Sequence, residues 1–285
     1  MRWLGFLLLP ALMWSHSETL EKNRAVIRRA AELLQKDDAN LDKFYFLQRK
    51  ETKQLDSEGQ VKARTVVTTR REAFDGVPVV RVVARDDRPI SAEEQKRQEE
   101  VLRQKVLQYR TREAQEKLNP TGSSARKRQD WEGEAMIREF PEALDYHFVG
   151  NQVRRSRETL VFDFSPRPGY KPKSVKMKFF EKMQGRVWID KLSNELLAAE
   201  AEIFETVNIG FGVVATMRKG TRFRLERQEA APGLWVTDNF YVRFAARFML
   251  VKSFFQEIES KLTNFELRPQ AVATASRATL SSTER

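Results

Sequence analysis

The stretch Arg186-Val187-Trp188-Ile189-Asp190 decides the fold class, because Val187 and Ile189 alternate with the other three residues. An apolar residue at every second position is the pattern of a β-strand with one buried face. The same alternation recurs in the segments 222–226 and 240–244. The sequence therefore predicts a sheet with one apolar face.

Strand signals dominate the chain from Tyr146 to about Phe265. They fall, with turn residues between several of them, at 146–154, 157–164, 176–190, 196–207, 221–229, 234–244 and 247–258. Three earlier strands are predicted at 44–52, 61–69 and 77–84. The connections are short and show no strand–helix–strand alternation, which favours one antiparallel sheet over a parallel, doubly wound fold.

Three helices interrupt this pattern, so the predicted fold class is α+β. An apolar stripe at three- and four-residue steps predicts a helix over 18–36. Ser91 and Glu94 form a capping box that starts a second, highly charged helix over 92–118. A shorter helix is predicted around 131–144, after the Pro-, Gly- and Ser-containing linker 119–124.

The apolar face of the sheet is the candidate binding surface, and these helices are the candidates to cover it. If they fill it, the result is an ordinary core; if they cover it loosely, the result is a cavity for a long apolar ligand. Both outcomes fit the sequence. The strand alternation predicts that the following side chains face inward: Val187, Ile189, Ile203, Phe223, Leu225, Phe240, Val242 and Phe244.

Residues 1–17 predict export from the cytoplasm. Arg2 precedes an apolar run from Trp3 to Trp14, and the small residues of Ser15-His16-Ser17 predict signal-peptide cleavage before Glu18. The alternative is an uncleaved N-terminal anchor, although the run is shorter than the ~20 residues that span a bilayer. At the other end, the segment 266–285 has the composition of a disordered tail.

The formal net charge of +11 limits the class of partner. In an exported protein this charge points to anionic lipid headgroups or other acidic envelope polymers as partners. The alternative is an ordinary solvated surface, because acidic residues are interspersed with the basic ones along the chain. The basic clusters at 126–128 and 154–157 lack the interleaved aromatic residues of a single-strand binding platform. We therefore expect no nucleic acid partner.

The residues offer no catalytic centre, so we expect no enzymatic activity, no cofactor and no metal ion. The chain has no cysteine, and His147 is its only histidine after the predicted cleavage site. Gly210–Ala215 fits the dinucleotide-binding fingerprint, but a turn and a strand follow it where the fingerprint requires a long helix. Carboxylates for glycoside hydrolysis occur on strands, with no spacing that favours a pair: Asp163, Asp190, Glu200 and Glu202.

The C-terminal half resembles the outer-membrane lipoprotein-sorting superfamily (LolA/LolB-like). The resemblance rests on Gly185–Asp190, the acidic strand Ala199–Glu205 and the Gly-rich apolar excursion 209–220. It is best over 146–265 and weaker over 40–85, and 86–144 is an inserted helical segment. The resemblance implies one domain over 18–265: a single curved antiparallel sheet, an unclosed half-barrel, with helices covering the concave face.

What the resemblance implies about function is a periplasmic carrier. Members bind lipid or lipoprotein acyl chains in an apolar cavity and transfer them between the envelope membranes, so the implied partners are a lipid or an acylated lipoprotein, with contact to the membrane surface. An alternative on the same fold is a lipid-responsive sensor or scaffold that acts through an envelope protein partner, with the helix 92–118 as its contact surface. A third hypothesis is a hydrolase that uses His147.

Overall fold

A computed structural model describes residues 9–118, 132–209, 215–248 and 252–269. Its α-helices are α1 (Leu9–Leu34), α2 (Asp37–Leu41), α3 (Ala92–Leu118) and α4 (Glu132–Ala143). Its strands are β1 (Phe44–Leu55), β2 (Val61–Phe74), β3 (Val77–Arg85), β4 (Arg88–Pro89), β5 (Leu144–Arg154), β6 (Arg157–Pro166), β7 (Met183–Asp190), β8 (Leu196–Ile203), β9 (Val207–Ile209), β10 (Ala215–Met217), β11 (Arg222–Ala231), β12 (Leu234–Phe248) and β13 (Lys252–Leu267).

The strands form one antiparallel sheet that does not close. Their hydrogen-bonded order is β4-β3-β2-β1-β13-β12-β11-β8-β7-β6-β5, and β9 and β10 lie off this path. The pairs β1–β2, β5–β6, β6–β7 and β7–β8 are antiparallel neighbours in the chain. The predicted α+β class with an unclosed antiparallel sheet is confirmed.

The chain divides into two compact units. The first comprises residues 1–36, 132–227 and 243–254, and the second comprises residues 37–131, 228–242 and 255–285. The predicted domain boundaries, with one domain over 18–265 and an insertion over 86–144, stay a prediction. Within the described residues, no helix combines the length and the apolar character needed to cross a membrane.

In the first unit, α1 and α4 pack against one face of the strands β5, β6, β7, β8 and β11. Cross-strand register aligns Phe162 with Val187, Val187 with Ala199, and Ala199 with Leu225. These rows and the two helices form one apolar cluster. The alternation predicted for β7 is therefore the feature that places the core on this face.

In the second unit, α3 packs on β3. Leu102 and Val106 are buried against Val79, while the rest of the helix is rich in charged residues. The capping box predicted for this helix is present, because the backbone N–H of Glu94 donates to Ser91 Oγ at 3.1 Å. The helix spans Ala92–Leu118, as its start and stop signals predict.

One predicted strand is partly wrong. Val175–Lys182 is a 3-10 helix, and the strand predicted over 176–190 begins only at Met183. Apolar and lysine residues alternate at the start of this segment, which imitates a strand. However, the buried residues of this segment are Met177, Phe179 and Phe180, and burial of two adjacent side chains does not fit the two-residue period of a strand with one buried face.

Smaller differences occur at other element ends. The strand predicted over 196–207 ends at Ile203, and β9 begins at Val207. The helix predicted over 18–36 begins at Leu9, and α2 follows where only a helix end was expected. Several predicted features lie wholly or partly outside the described residues: positions 1–8 of the signal peptide, the linker 119–124, positions 210–214 of the Gly-rich excursion and positions 270–285 of the tail.

Candidate functional site: an apolar cavity

The first unit contains a cavity of about 310 Å³ between its helices and its sheet. Every side chain that lines it is apolar. The lining residues are Ile27, Ala30, Ala31, Leu34, Met136, Ile137, Phe140, Phe164, Phe179, Phe180, Met183, Val187, Ile189, Leu196, Ala199, Ala201, Met217, Phe223 and Leu225. Such a lining has no group to hydrogen-bond water and favours an apolar ligand.

Small residues in the centre of the sheet make the floor of the cavity low. Phe164, Gly185, Ala201 and Phe223 are aligned across β6, β7, β8 and β11. The two phenylalanines stand at the ends of this row and the two small residues lie between them. Ala199 lies in the neighbouring row, beside Val187. The space above Ala199 and Ala201 is therefore left to the cavity, whereas the ring of Phe164 lies over Gly185.

The roof of the cavity comes from the apolar stripes of two helices. α1 contributes Ile27, Ala30, Ala31 and Leu34, which recur at three- and four-residue steps. α4 contributes Met136, Ile137 and Phe140 with the same spacing. Met136 is 38% exposed and lies at the rim, whereas Phe179 and Phe180 are buried in the interior wall.

Ion pairs and hydrogen bonds hold α1 against α4 and β5 at one end of the roof. Arg24 Nη2 donates to Asp145 Oδ1 at 2.8 Å, and Arg28 Nη2 donates to Glu142 Oε1 at 2.8 Å. Asn23 Nδ2 also donates to the carbonyl oxygen of Tyr146 at 2.9 Å. Each contact joins the middle of α1 to the C-terminal end of α4 or the start of β5. Leu34 lies further along, at the C-terminal end of α1, and Met136 lies in the first half of α4.

α4 is held from its other side by the loop after β6. Glu139 is buried, and its Oε1 accepts a hydrogen bond from the Tyr170 hydroxyl at 2.8 Å. Burial and this bond to a carboxylate raise the pKa of Tyr170. The Tyr146 hydroxyl donates to the Phe140 carbonyl at 2.6 Å, and burial raises the pKa of this phenol well above its usual value. Both phenols therefore act as hydrogen-bond donors that fix α4 in place.

The opposite face of the same strands carries a row of charged residues. Arg186 on β7 pairs with Asp163 on β6, with Nε–Oδ1 at 2.5 Å and Nη2–Oδ2 at 2.9 Å. The hydrogen bonds from Arg186 lower the pKa of Asp163, which therefore stays ionised at neutral pH. Glu200 is the next residue in this row, opposite both Arg186 and Arg224. This charged row lies on the face opposite the cavity, whereas the neighbouring row of that face, Val161, Trp188 and Ala198, is buried.

Two of the four carboxylates weighed for hydrolysis, Asp163 and Asp190, are engaged in ion pairs with arginines. Asp163 pairs with Arg186, and Asp190 Oδ2 accepts a hydrogen bond from Arg157 Nε at 2.6 Å. Burial acts to raise the pKa of Asp190, but hydrogen bonds from Arg157 and Ser193 outweigh it, and the pKa is lowered. Across the part of the chain that the structure describes, no group of three or more His, Asp or Glu side chains is placed to hold a metal ion.

The structure brings together four of the residues predicted to face inward. Val187, Ile189, Phe223 and Leu225 line the cavity. Ile203 is buried in the same apolar cluster but is not a lining residue among those described. Three predicted residues lie on β12: Phe240, which is 41% exposed, Val242, which is buried, and Phe244, which is half-buried.

Sequence reasoning missed the helical half of the site. The apolar residues of α1 and α4 indicated helices that pack on the sheet, but not that the packing leaves a cavity. Gly185, Ala199 and Ala201 were also not recognised. The available signal was the low volume of these three positions on a face that otherwise carries Phe, Ile and Leu.

Comparison with known proteins gives no match to a family model and no match among curated proteins. Solved structures do match. One is a DUF1329 family protein from Desulfovibrio piger, with 9% sequence identity, 85% of this chain and 93% of that chain covered, and a TM-score of 0.29. A domain from Vibrio parahaemolyticus, described as an outer membrane lipoprotein-sorting protein, has 8% identity, coverage of 85% and 94%, and a TM-score of 0.31.

A third match is the LolA superfamily protein NE2245 from Nitrosomonas europaea, with 10% identity, 84% of this chain and 93% of that chain covered, and a TM-score of 0.28. Two of the three proteins carry the name of the superfamily that the sequence resembles. Identities of 8 to 10% and TM-scores of 0.28 to 0.31 are too low to assign a function to the cavity.

Proposed function

We propose that this protein binds the acyl chains of lipids or lipoproteins in the apolar cavity and carries them between the membranes of the cell envelope. The observation that supports the proposal is the lining, which contains no polar side chain around about 310 Å³. This volume lies at the lower end of the ~300–1,000 Å³ range of ligand pockets. An aqueous metabolite would lose its hydrogen bonds to water there without replacement.

The binding energy in this proposal comes from transfer of methylene groups out of water. Each buried CH₂ contributes about 0.8 kcal/mol, so eight buried methylenes contribute about 6 kcal/mol before the costs of association. The proposed activity is therefore binding and transfer, with no covalent bond made or broken. Release to an acceptor requires only an environment that holds the chain more tightly.

The proposed place of action is the periplasm, after export by the signal peptide over residues 1–17. Cleavage before Glu18 would leave Ile27, the first lining residue, in the mature protein. It would also leave Arg24 and Arg28, which hold α1 against β5 and α4. The mature chain would therefore keep the complete set of described lining residues.

The test is native mass spectrometry of the protein purified from a periplasm, with extraction of any bound lipid and titration with a fluorescent fatty acid. The proposal predicts a co-purifying lipid or uptake of the probe. Ala201→Phe places a ring in the cavity and is expected to lower probe affinity at least tenfold. Ala63→Phe, at an exposed position on β2, is the matched control and keeps wild-type affinity. A chain that carries no lipid and takes up no probe contradicts the proposal.

A second candidate function is a sensor that acts through an envelope protein. The observation that favours it is the outer surface of α3, where Val101, Leu107 and Tyr109 are 53%, 58% and 48% exposed. In this second proposal they are the side chains that a protein partner covers. Replacing all three with lysine separates the functions: a carrier keeps its rate of lipid transfer between vesicles, whereas a sensor keeps lipid binding and loses its response in the cell.

A further inference from the structure

The volume of the cavity limits how much of a lipid it can hold. An apolar cavity of ~150 Å³ accommodates benzene, which has six carbons. The cavity here is about 310 Å³, roughly twice as large. By this ratio it accommodates about twelve carbons, which is one acyl chain of moderate length and not the two or three chains of a phospholipid or a triacylated lipoprotein.

The floor of the cavity imposes a limit on width. Gly185 and Ala201 are aligned neighbours on β7 and β8, about 5 Å apart as adjacent strands require. Phe164 precedes them in this row and Phe223 follows them. Because the Phe164 ring lies over Gly185, the low part of the floor in this row is only one strand wide, at Ala201, with an aromatic ring on each side.

The two ends of the cavity differ. Phe179 and Phe180 are buried and close the interior end. Met136 is 38% exposed, more than any other described lining residue, so it marks the rim where the lining reaches solvent. A ligand with one polar end can place that end at this rim and its chain inside.

We propose that the ligand is a single-chain amphiphile, with a chain of about twelve carbons in the cavity and its polar head at the rim marked by Met136. This inference rests on the proposed function and narrows its substrate class. Chains beyond this length leave their excess carbons in water, where they add no affinity. A second chain on the same head group is excluded by the width of the floor.

The first experiment measures binding of saturated fatty acids from octanoate to hexadecanoate by displacement of a fluorescent fatty acid. The dissociation constant is expected to fall about fourfold for each added methylene up to about dodecanoate and then to level off. Native mass spectrometry is expected to show one fatty acid per chain. Lauroyl lysophosphatidylcholine is expected to bind at least tenfold more tightly than dilauroyl phosphatidylcholine, which has the same head group and two chains.

Two variants move the length limit in opposite directions. Ala199→Leu adds three carbons to the floor and is expected to shorten the preferred chain by about three carbons. Phe179→Ala opens the interior end and is expected to lengthen it. Ala63→Leu is the control for the first variant and leaves the length profile unchanged. Thermal melting checks that each variant is folded, and either variant alone suffices to test the limit.

The outcomes separate this inference from the proposed function. Equal affinity for one-chain and two-chain lipids, two fatty acids bound per chain, or affinity that rises steadily to hexadecanoate overturns the single-chain limit while lipid binding stands. A protein that binds none of these probes contradicts the proposed function itself.

Discussion

The ring of Phe164 lies directly over Gly185. A Cβ atom added to Gly185 would be 2.6 Å from Phe164 Cζ and 2.8 Å from Ala201 Cα, and it would also collide with the carbonyl oxygen of Glu200. Only glycine leaves room for this ring across the neighbouring strand. The absence of a side chain at Gly185 therefore lets Phe164 pack over β7, where its ring lines the cavity.

Gly185→Ala is expected to destabilise the protein by about 1 to 3 kcal/mol, the usual cost of overpacking a core. Urea unfolding followed by tryptophan fluorescence measures the loss. Part of the clash is with backbone atoms that cannot rotate away, so relief must come from movement of the strands themselves. We also expect weaker binding of the fatty acid probe, because that movement changes the floor.

Replacing the ring of Phe164 with a smaller side chain supplies the control for this prediction. In the double variant with Phe164→Leu, the loss caused by Gly185→Ala is expected to be smaller than in the wild-type background, because one of the three contacts is removed. Unchanged stability of Gly185→Ala would show that the strands accommodate a Cβ atom at no cost and would remove the role assigned to this glycine.

Two arginines of α1, Arg24 and Arg28, hold this helix against α4 and β5, and they differ in burial. Arg24 is 6% exposed and pairs with Asp145, whereas Arg28 is 44% exposed and pairs with Glu142. Arg24→Met leaves a largely buried carboxylate without its partner and is expected to cost about 2 to 4 kcal/mol. Arg28→Met removes a surface pair and is expected to cost less than about 1 kcal/mol.

Thermal and urea unfolding of the two methionine variants check this ranking. Equal losses in the free energy of unfolding would mean that the burial of Arg24 does not strengthen its ion pair with Asp145. A difference in the rate of probe release is also expected, because weaker attachment of α1 to Asp145 favours opening of the roof. Arg24→Met is therefore expected to release the probe faster than Arg28→Met.

Sequence patterns predicted those helices and strands whose caps, turn residues and apolar periodicity match the structure that forms. The helix α3 follows from the capping box of Ser91 and Glu94, whose hydrogen bond is present. The strand pairs follow from alternation and turn residues. The 3-10 helix at Val175–Lys182 was missed because Phe179 and Phe180, adjacent in sequence, are both buried. Such burial depends on contacts with α4 and β6, and no local pattern contains it.

The site was harder to predict than the fold. Alternation identifies which strand residues share a face, as for Val187 and Leu225, but not how closely a helix approaches that face. Whether Ile27 and Phe140 fill the space above Ala199 or leave it open is decided by side-chain volumes on three separate elements. This is why both a filled core and a cavity fitted the sequence.

The second unit carries a pH-dependent contribution to stability at Glu51. Hydrogen bonds from Arg64, at 2.8 and 3.1 Å, outweigh the effect of burial and, with Arg49, lower the pKa of Glu51 from 4.5 to about 2. Because the folded-state pKa is the lower one, this stabilisation is present above about pH 4.5 and is lost as the pH falls toward 2. Allowing for screening by solvent, it amounts to about 1 to 2 kcal/mol.

Glu51→Gln is therefore expected to lower the free energy of unfolding at pH 7 and to have little effect near pH 2. The measurement is chemical unfolding of both proteins at intervals from pH 7 to pH 2, analysed as the difference between variant and wild type so that other carboxyl groups cancel. Glu58→Gln, at an exposed turn position, is the control and is expected to change stability by less than about 0.5 kcal/mol. A difference that stays constant over this range would show that Glu51 is not held ionised by Arg64 and Arg49, and that its effect comes from packing alone.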